Sequence, residues 1–246
     1  MDQVSYATAP FPVRDDLAAA HRRAFVELAR PGAWWSGAER VAIAAEVRRA
    51  ACCALCRTRK ASLSPAAGCG PHDSEGALPE AAVDAVHRIA SDPARLSRGF
   101  YEKALAAGRG EGAYVELVGS VTQVVAVDAF CRALGAVPHP LPAPLPGEAS
   151  RYRPAGVAAG EAWVPMIAQG RAGEAERDLL PGGRAPNVAR ALSLVPDAAR
   201  ATRSLLAAQY VPIERVPDVT FSERALTRAQ MELVAGRVSA LNECFY

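Results

Sequence analysis

Six cysteines are the residues most able to carry chemistry in this sequence, and they lie at positions 52, 53, 56, 69, 131 and 244. Cys53 and Cys56 form a Cys-x-x-Cys pair, a spacing that places two thiols one helical turn apart. A thiolate at such a pair can attack an electrophile, and the second thiol can then close a disulfide. The pair is therefore a candidate redox dithiol.

Zinc is a second interpretation of the same pair. A zinc ion needs four ligands, and a Cys69-x-x-His72 sequence begins thirteen residues after Cys56. Cys69 and His72 could complete a tetrahedral site of three cysteines and one histidine, and Cys52 is a further candidate ligand. A third interpretation makes Cys53 and Cys56 degenerate structural cysteines. The residues alone leave all three interpretations open.

The last cysteine, Cys244, follows a predicted helix that opens at a capping box made of Thr227 and Gln230. Asn242 is a candidate N-cap for a further helix, which would place Cys244 in the first turn of that helix. Unpaired backbone N–H groups and the positive end of the helix dipole favour a thiolate there. Cys244 is therefore a second candidate reactive thiol.

The spacing between Glu232 and Cys244 resembles that of the AhpD-like alkylhydroperoxidase and carboxymuconolactone decarboxylase superfamily. Redox members of this superfamily carry a glutamate, eleven residues, Cys-x-x-Cys, three residues and then a histidine. The resemblance implies that Glu232 is the carboxylate of a proton relay and that Cys244 is the resolving thiol. The peroxide-attacking residue would then be at position 247 and the histidine at position 251, both beyond Tyr246. We consider two origins for this ending: a truncated sequence, or a UGA codon at position 247 that encodes selenocysteine.

An internal repeat relates the two cysteine regions. A shift of 191 residues places Cys53 on Cys244, and it places the helix cap Ser36 on the helix cap Thr227. The resemblance therefore implies two dithiol-helix units in one chain.

The first copy departs from the superfamily pattern, because Val41 stands in place of the glutamate and Lys60 in place of the histidine. Glu116 begins the most apolar predicted helix, where an unpaired carboxylate would be costly to bury. It is a candidate proton acceptor for Cys53 and Cys56. Its alternative is a helix-start residue that pairs with an arginine or caps backbone N–H groups.

The composition predicts an all-α fold, because Ala and Arg are abundant and aromatic residues make up 6% of the chain. The resemblance implies that this fold is AhpD-like. We expect an N-terminal unit over residues 1–136, a Pro- and Gly-rich connector over 137–184 and a C-terminal unit over 185–246. The connector assignment follows from its prolines, which favour an extended polyproline-type conformation.

Capping signals predict the first two helices. Asp15 or Asp16 can cap a helix that continues to about Ala29. Ser36 with a glutamate three residues later predicts a second helix that continues to about Cys56.

The histidines give no separate signal of a site. We expect His21 to be a packed helix residue and His139 to be exposed between two prolines. We expect His87 to be an ordinary residue on a solvated helix face, since Asp84 and Arg88 have the spacing of an i, i+4 ion pair.

Charge and hydropathy exclude several classes of function. The net charge of +2 is too small for a nucleic-acid footprint, and the Lys and Arg residues are scattered. No secretory leader and no apolar run of about 18 residues is evident, which favours a cytoplasmic protein without a membrane partner.

The sequence and the resemblance together predict a thiol-dependent, or with selenocysteine a selenol-dependent, hydroperoxide reductase without cofactor or metal. A thioredoxin-like or lipoyl protein would be its dithiol reductant, and the resemblance implies a homo-oligomer. One alternative is a helical scaffold or partner-binding protein that has lost the chemistry. A second is a decarboxylase-type enzyme that acts on a lactone acid without the dithiol.

Overall fold

The computed structural model describes residues 4–107 and 109–244, and these residues form a mostly helical fold. The described helices are α1 (Asp15–Ala29), α2 (Gly37–Ala50), α3 (Ala54–Ala61), α4 (Glu80–Ser91), α5 (Arg98–Ala107), α6 (Glu111–Ala133), α7 (Asn187–Arg190), α8 (Pro196–Gln209) and α9 (Arg228–Leu241). Two short strands, β1 (Val157–Ala158) and β2 (Met166–Ile167), pair antiparallel with Val157 opposite Ile167. The predicted all-α class is confirmed.

The predicted start of α2 is confirmed, but its predicted end is wrong. The Ser36 hydroxyl accepts the Glu39 backbone N–H, and the Glu39 carboxylate accepts the Ser36 N–H, which is a complete capping box. The helix ends at Ala50, and a turn over residues 51–53 leads to α3, with Cys53 as its N-cap. The Cys-x-x-Cys pair therefore begins a new helix and does not end the previous one.

The central element is α6, which packs against α2, α4 and α8. Among the described residues it is the one helix long and apolar enough to cross a membrane, yet 61% of its most apolar window is buried inside the protein. Its apolar side chains join those of α2 and α4 in the largest core cluster, which includes Ile43, Val86, Leu117, Val121 and Val124. The apolar composition of α6 is therefore accounted for by its central place in the core.

A second cluster joins α1, α6 and α8 around the buried His21. His139 packs its ring edge-on against Tyr6, with the ring centroids 4.7 Å apart, and against Phe25. The prediction of an exposed His139 is therefore wrong, since 6% of this residue is exposed. The flanking prolines extend the backbone, but they do not keep the imidazole in solvent.

The segment predicted as a connector is hydrogen-bonded to the helical core. The backbone N–H groups of Leu145 and Ser150 donate to the carbonyls of Ala29 and Gly32. A Cβ atom on Gly37 would lie 2.3 Å from the Ala29 carbonyl oxygen and 2.6 Å from that of Leu145, so only glycine fits where the segment crosses α2. Residues from 145 onward are therefore bound along the end of α1 by specific backbone contacts.

Candidate functional site

Four side chains from three segments of the chain converge at one buried point. Cys53 and Cys56 come from the first turn of α3, His72 from the loop between α3 and α4, and His87 from α4. The two Sγ atoms and one nitrogen from each imidazole all lie within 4.8 Å of one another. Cys53 and His87 are fully buried, and Cys56 is 3% exposed. We call these four residues the Cys/His cluster.

The shortest contacts in the Cys/His cluster join sulfur to the Nδ1 nitrogens. Cys56 Sγ lies 3.4 Å from His87 Nδ1 and 3.6 Å from His72 Nδ1. Cys53 Sγ lies 3.5 Å from His72 Nδ1. Each sulfur therefore has an imidazole within reach, and Cys56 has two.

A carboxylate lies behind each imidazole. His87 Nε2 is 2.9 Å from Glu46 Oε2, and His72 Nε2 is 2.9 Å from Asp84 Oδ1. A carboxylate on Nε2 fixes the proton on that nitrogen and aims Nδ1 at the sulfurs. Two series of contacts result. One joins Cys56, His87 and Glu46, and the other joins the two cysteines to His72 and Asp84.

Both carboxylates are themselves held in place. Glu46 is 1% exposed and its Oε1 accepts hydrogen bonds from the Ser74 hydroxyl at 2.8 Å and the Glu75 N–H at 2.9 Å. Asp84 Oδ1 accepts a hydrogen bond from Arg59 at 2.7 Å. Because these groups hold the carboxylates, they also fix the orientation of the two imidazole rings.

The loop over residues 62–79 builds the site around the start of α3. Asp73 Oδ2 accepts the Ala54 N–H at 2.8 Å, so this carboxylate caps α3 from a position 19 residues away. The same loop carries His72 and the two groups that hold Glu46. The loop therefore connects α2, α3 and the cluster, and it closes the cysteines off from solvent.

Hydrogen bonding at the cluster changes the acidity of the thiols. Burial alone would raise the pKa of Cys56, but hydrogen bonds from His72 and His87 outweigh it and lower that pKa to about 6. Burial lowers the pKa of His72, and the hydrogen bond to Asp84 reverses this effect, so that the pKa of His72 is raised to about 10. A thiolate beside an imidazolium is therefore the favoured state at neutral pH.

A surface cavity of about 610 Å³ adjoins the cluster. Its wall includes Cys69, His72 and Asp84, and the cations Arg59 and Lys103. His72 lines this cavity, and its Nδ1 lies 3.5 Å from Cys53 Sγ and 3.6 Å from Cys56 Sγ. The cavity therefore reaches His72, the residue that contacts both sulfurs.

The structure does not bring Glu232 and Cys244 together by any hydrogen bond among the described residues. The Glu232 carboxylate is 46% exposed, receives a hydrogen bond from the Tyr210 hydroxyl and pairs with Arg228. Asn242 is the C-cap of α9 and not the N-cap of a further helix, so the predicted position of Cys244 in a first turn is wrong. Cys244 is exposed, and residues 245–246 lie outside the described residues.

Glu116 lies away from the thiols, in the arrangement that the alternative interpretation described. Its Oε2 accepts the Trp34 N–H at 2.6 Å, and its Oε1 lies 3.5 Å from Arg40 Nε. Burial raises the pKa of Glu116, and the nearby Arg40 opposes that shift. The carboxylates that the structure places at the dithiol are Glu46 and Asp84.

The sequence did not lead us to predict His87 as a site residue, and it led us to expect Asp84 beside Arg88 on a solvated face, whereas Asp84 contacts Arg59 and His72. His87 is fully buried and contacts Glu46 and Cys56, so the prediction of a solvated helix face is wrong. Cys69 is exposed and outside the Cys/His cluster, so the predicted set of three cysteines and one histidine is replaced by two of each. A signal was present, because two of the chain's four histidines follow the Cys-x-x-Cys pair in the next 31 residues.

No family model matches the chain, and no curated protein sequence or solved structure matches it either. The chemistry of the Cys/His cluster must therefore be inferred from its own geometry.

Proposed function

We propose that the protein is a thiol-dependent hydroperoxide reductase of the AhpD-like type, with Cys53 and Cys56 as its working dithiol. The observation that carries the proposal is the buried chain from Cys56 Sγ through His87 to Glu46, with contacts of 3.4 and 2.9 Å. A nucleophile, a base in contact with it and a group that orients the base are the parts that thiol catalysis needs. Cys53 provides the second thiol.

The proposed reaction uses the two cysteines in order. The Cys56 thiolate attacks the distal oxygen of a hydroperoxide ROOH, the O–O bond breaks, and the leaving alkoxide takes a proton from the His87 imidazolium to form ROH. Cys56 is then a sulfenic acid. The Cys53 sulfur attacks the Cys56 sulfur, the S–S bond forms, and the departing hydroxide takes the Cys53 proton and leaves as water. An external dithiol reduces the disulfide and resets the site.

The order of attack agrees with the resemblance, in which the second cysteine of a Cys-x-x-Cys pair attacks and the first resolves. Local geometry supports the repeat that underlies this resemblance. Helices α2 and α9 each contain fourteen residues, each begins with a complete capping box, and a cysteine lies three residues after each one ends. The proposed proton relay differs from the one that the resemblance implies in its carboxylate. Glu46 takes the role that the resemblance assigned to Glu232.

Burial of the sulfurs limits the substrate. Cys53 is fully buried and Cys56 is 3% exposed, and His72, which contacts both sulfurs, lines the adjoining cavity, so we take this cavity as the route of the peroxide. Hydrogen peroxide is small enough to enter after a modest shift of that ring, while a bulky hydroperoxide needs the loop over residues 62–79 to open. We therefore expect small peroxides to react faster than bulky ones.

The test is to follow peroxide consumption and the oxidation state of the cysteines together. The metal-free protein is incubated with hydrogen peroxide or cumene hydroperoxide, with dithiothreitol or dihydrolipoamide as reductant. We expect catalytic consumption, and in the absence of reductant a Cys53–Cys56 disulfide in the peptide map. Catalysis without that disulfide, or no turnover with any peroxide and dithiol, would contradict the proposal.

A further inference from the structure

We infer that Cys53, Cys56, His72 and His87 bind one Zn²⁺ ion in a tetrahedral site. The inference uses the same residues as the proposed function, but the binding itself does not depend on peroxidase activity. In a tetrahedral zinc site, Zn–S bonds of about 2.3 Å and Zn–N bonds of about 2.0–2.1 Å place sulfur and nitrogen ligands about 3.5–3.6 Å apart. Three of the four sulfur–nitrogen distances in the cluster are 3.4, 3.5 and 3.6 Å, and the fourth, between Cys53 and His87, is within 4.8 Å.

The remote nitrogens of the histidines support a metal. Histidine ligands of zinc almost always donate the second ring N–H to a carboxylate, a backbone carbonyl or water, which orients the ring. Here the same role is filled twice, since His87 Nε2 is 2.9 Å from Glu46 and His72 Nε2 is 2.9 Å from Asp84. A redox dithiol with one relay needs only one such pair, whereas a metal with two histidine ligands is served by both.

The donor atoms select the type of metal. Two thiolates and two imidazoles suit zinc, while calcium and magnesium prefer oxygen ligands. Two thiolates also neutralise the double positive charge of the ion. The cluster is almost fully buried, and a site without net charge costs less free energy to bury there than an unpaired ion would. With four protein ligands the coordination is closed, so the ion has no free position for substrate.

Zinc binding and the proposed dithiol reaction exclude each other, because both use the same two sulfur atoms. The balanced reaction is one zinc-bound pair of thiolates plus ROOH plus two protons, which gives the Cys53–Cys56 disulfide, free Zn²⁺, ROH and water. Peroxide would therefore release the ion, and a dithiol reductant with zinc would restore the closed site. This second statement rests on the proposed function, and zinc would act as a regulator of that function.

The binding test measures metal directly in the full chain. Protein purified under reducing conditions is analysed by inductively coupled plasma mass spectrometry, and the metal-free protein is titrated with Zn²⁺ against a chromophoric chelator. Substitution by Co²⁺ should give the visible bands of a tetrahedral ion and a thiolate-to-cobalt charge-transfer band. We expect about one zinc per chain, a weaker charge-transfer band in Cys56→Ser, and loss of the band when Cys53→Ser and Cys56→Ser are combined.

Two further variants separate ligands from neighbours. Cys69→Ser, which removes an exposed thiol beside the cluster, should retain full stoichiometry. Glu46→Gln leaves the four ligands in place and should weaken zinc affinity by about 10–100-fold, the usual effect of removing a carboxylate behind a histidine ligand. Circular dichroism of each variant checks that the helices persist.

The outcomes distinguish the two proposals. Stoichiometric zinc binding, together with no peroxide turnover by the metal-free protein, supports the metal site and contradicts the proposed function. Turnover by a protein that binds less than a tenth of an equivalent of zinc, with no tetrahedral cobalt spectrum, overturns the metal site and leaves the proposed function standing. Release of one zinc per dithiol oxidised by hydrogen peroxide supports the regulatory statement, and oxidation without release overturns it.

Discussion

The two helices that precede Cys53 and Cys244 start alike and end in different surroundings. Both α2 and α9 begin with a capping box and contain fourteen residues. Helix α2 has seven buried residues, whereas the buried residues of α9 are Arg228 and Met231. The cysteine after α2 enters a closed cluster, and the cysteine after α9 is exposed.

The difference shows that spacing along a helix does not by itself make a site. Helix α2 is covered by α4 and α6, and the loop over residues 62–79 adds a histidine beside its end. Helix α9 exposes its apolar residues Leu233, Val234, Val238 and Leu241, and its Glu232 pairs with Arg228 at the surface. Proton transfer needs fixed contacts to the thiol, and among the described residues Cys53 and Cys56 have imidazole contacts whereas Cys244 has none.

The largest expected difference is between two single variants, Cys56→Ser and Cys244→Ser. In metal-free protein, Cys56→Ser should lower peroxide turnover by about 10³-fold or more, because a serine hydroxyl is not ionised and cannot replace the thiolate. Cys244→Ser should leave turnover within about twofold, since among the described residues no imidazole or carboxylate is hydrogen-bonded to Cys244. The measurement is dithiol-dependent peroxide consumption at pH 7. A larger loss in Cys244→Ser than in Cys56→Ser would reverse the comparison.

The two glutamates give the next largest contrast. Glu46→Gln should lower kcat by about 10²-fold, because the amide cannot stabilise the His87 imidazolium that protonates the leaving group. Glu232→Gln is the matched control, since it removes the charge that the resemblance assigned to the relay but lies on the surface. Steady-state kinetics with hydrogen peroxide measures kcat for both variants. Equal losses of kcat would indicate that Glu232 takes part in the reaction.

The starts of α2 and α9 could be predicted from the sequence, because a capping box is a local pattern, whereas the predicted Asp15 or Asp16 cap of α1 is wrong, since its N-cap is Arg14 without a side-chain hydrogen bond. Ser36 with Glu39 and Thr227 with Gln230 both form the boxes expected. The break between α2 and α3 could not, since Asp73 caps Ala54 from 19 residues away. A non-local contact of this kind leaves no periodic signal in the segment it interrupts.

The candidate site could be predicted from the sequence only in part, because only some of its contacts are local in the chain. Cys53-x-x-Cys56 is a local motif and was recognised, whereas the partners of His87 are Glu46 on α2 and Cys56 on α3. The spacing of Asp84 and Arg88 suggested a surface ion pair, but Asp84 pairs with Arg59 and His72 instead. The packing of α2 against α4 decides these contacts, and side-chain identity alone does not reveal it.

The buried histidines His21 and His87 offer a third contrast, in pH dependence. Burial lowers the pKa of His21 to about 4, and a charged His139 would add to that shift. Its neighbours are Tyr6, whose hydroxyl oxygen is 2.5 Å from Nδ1, and Gln209, whose amide nitrogen is 2.9 Å from Nε2. His87 has a carboxylate partner, and its pKa is raised. Because the pKa of His21 is lowered, a fall in pH should lower the free energy of unfolding through this residue.

The sign follows from proton uptake. Below pH 6.5 the unfolded chain protonates His21 while the folded chain does not until about pH 4, so stability falls as the pH falls through this window. Between pH 6.5 and 5 the loss should be about 2 kcal/mol from this residue. Urea unfolding of wild type and His21→Gln across that range measures it. The same slope in both proteins would show that His21 does not cause the loss.

The smallest expected effect concerns the two capping boxes. Ser36→Ala should lower the free energy of global unfolding by about 1 kcal/mol, because α2 is buried against α4 and α6 and unfolds with the core. Thr227→Ala removes an equivalent bond, but α9 buries only Arg228 and Met231 and can open alone. Its global effect should stay below about 0.3 kcal/mol, while hydrogen exchange of the α9 amides accelerates about fivefold, which is the rate factor for about 1 kcal/mol. Urea unfolding and hydrogen exchange measured on both variants decide the point. Equal losses of global stability would mean that α9 unfolds together with the core, and the contrast between a packed α2 and a loosely attached α9 would then be wrong.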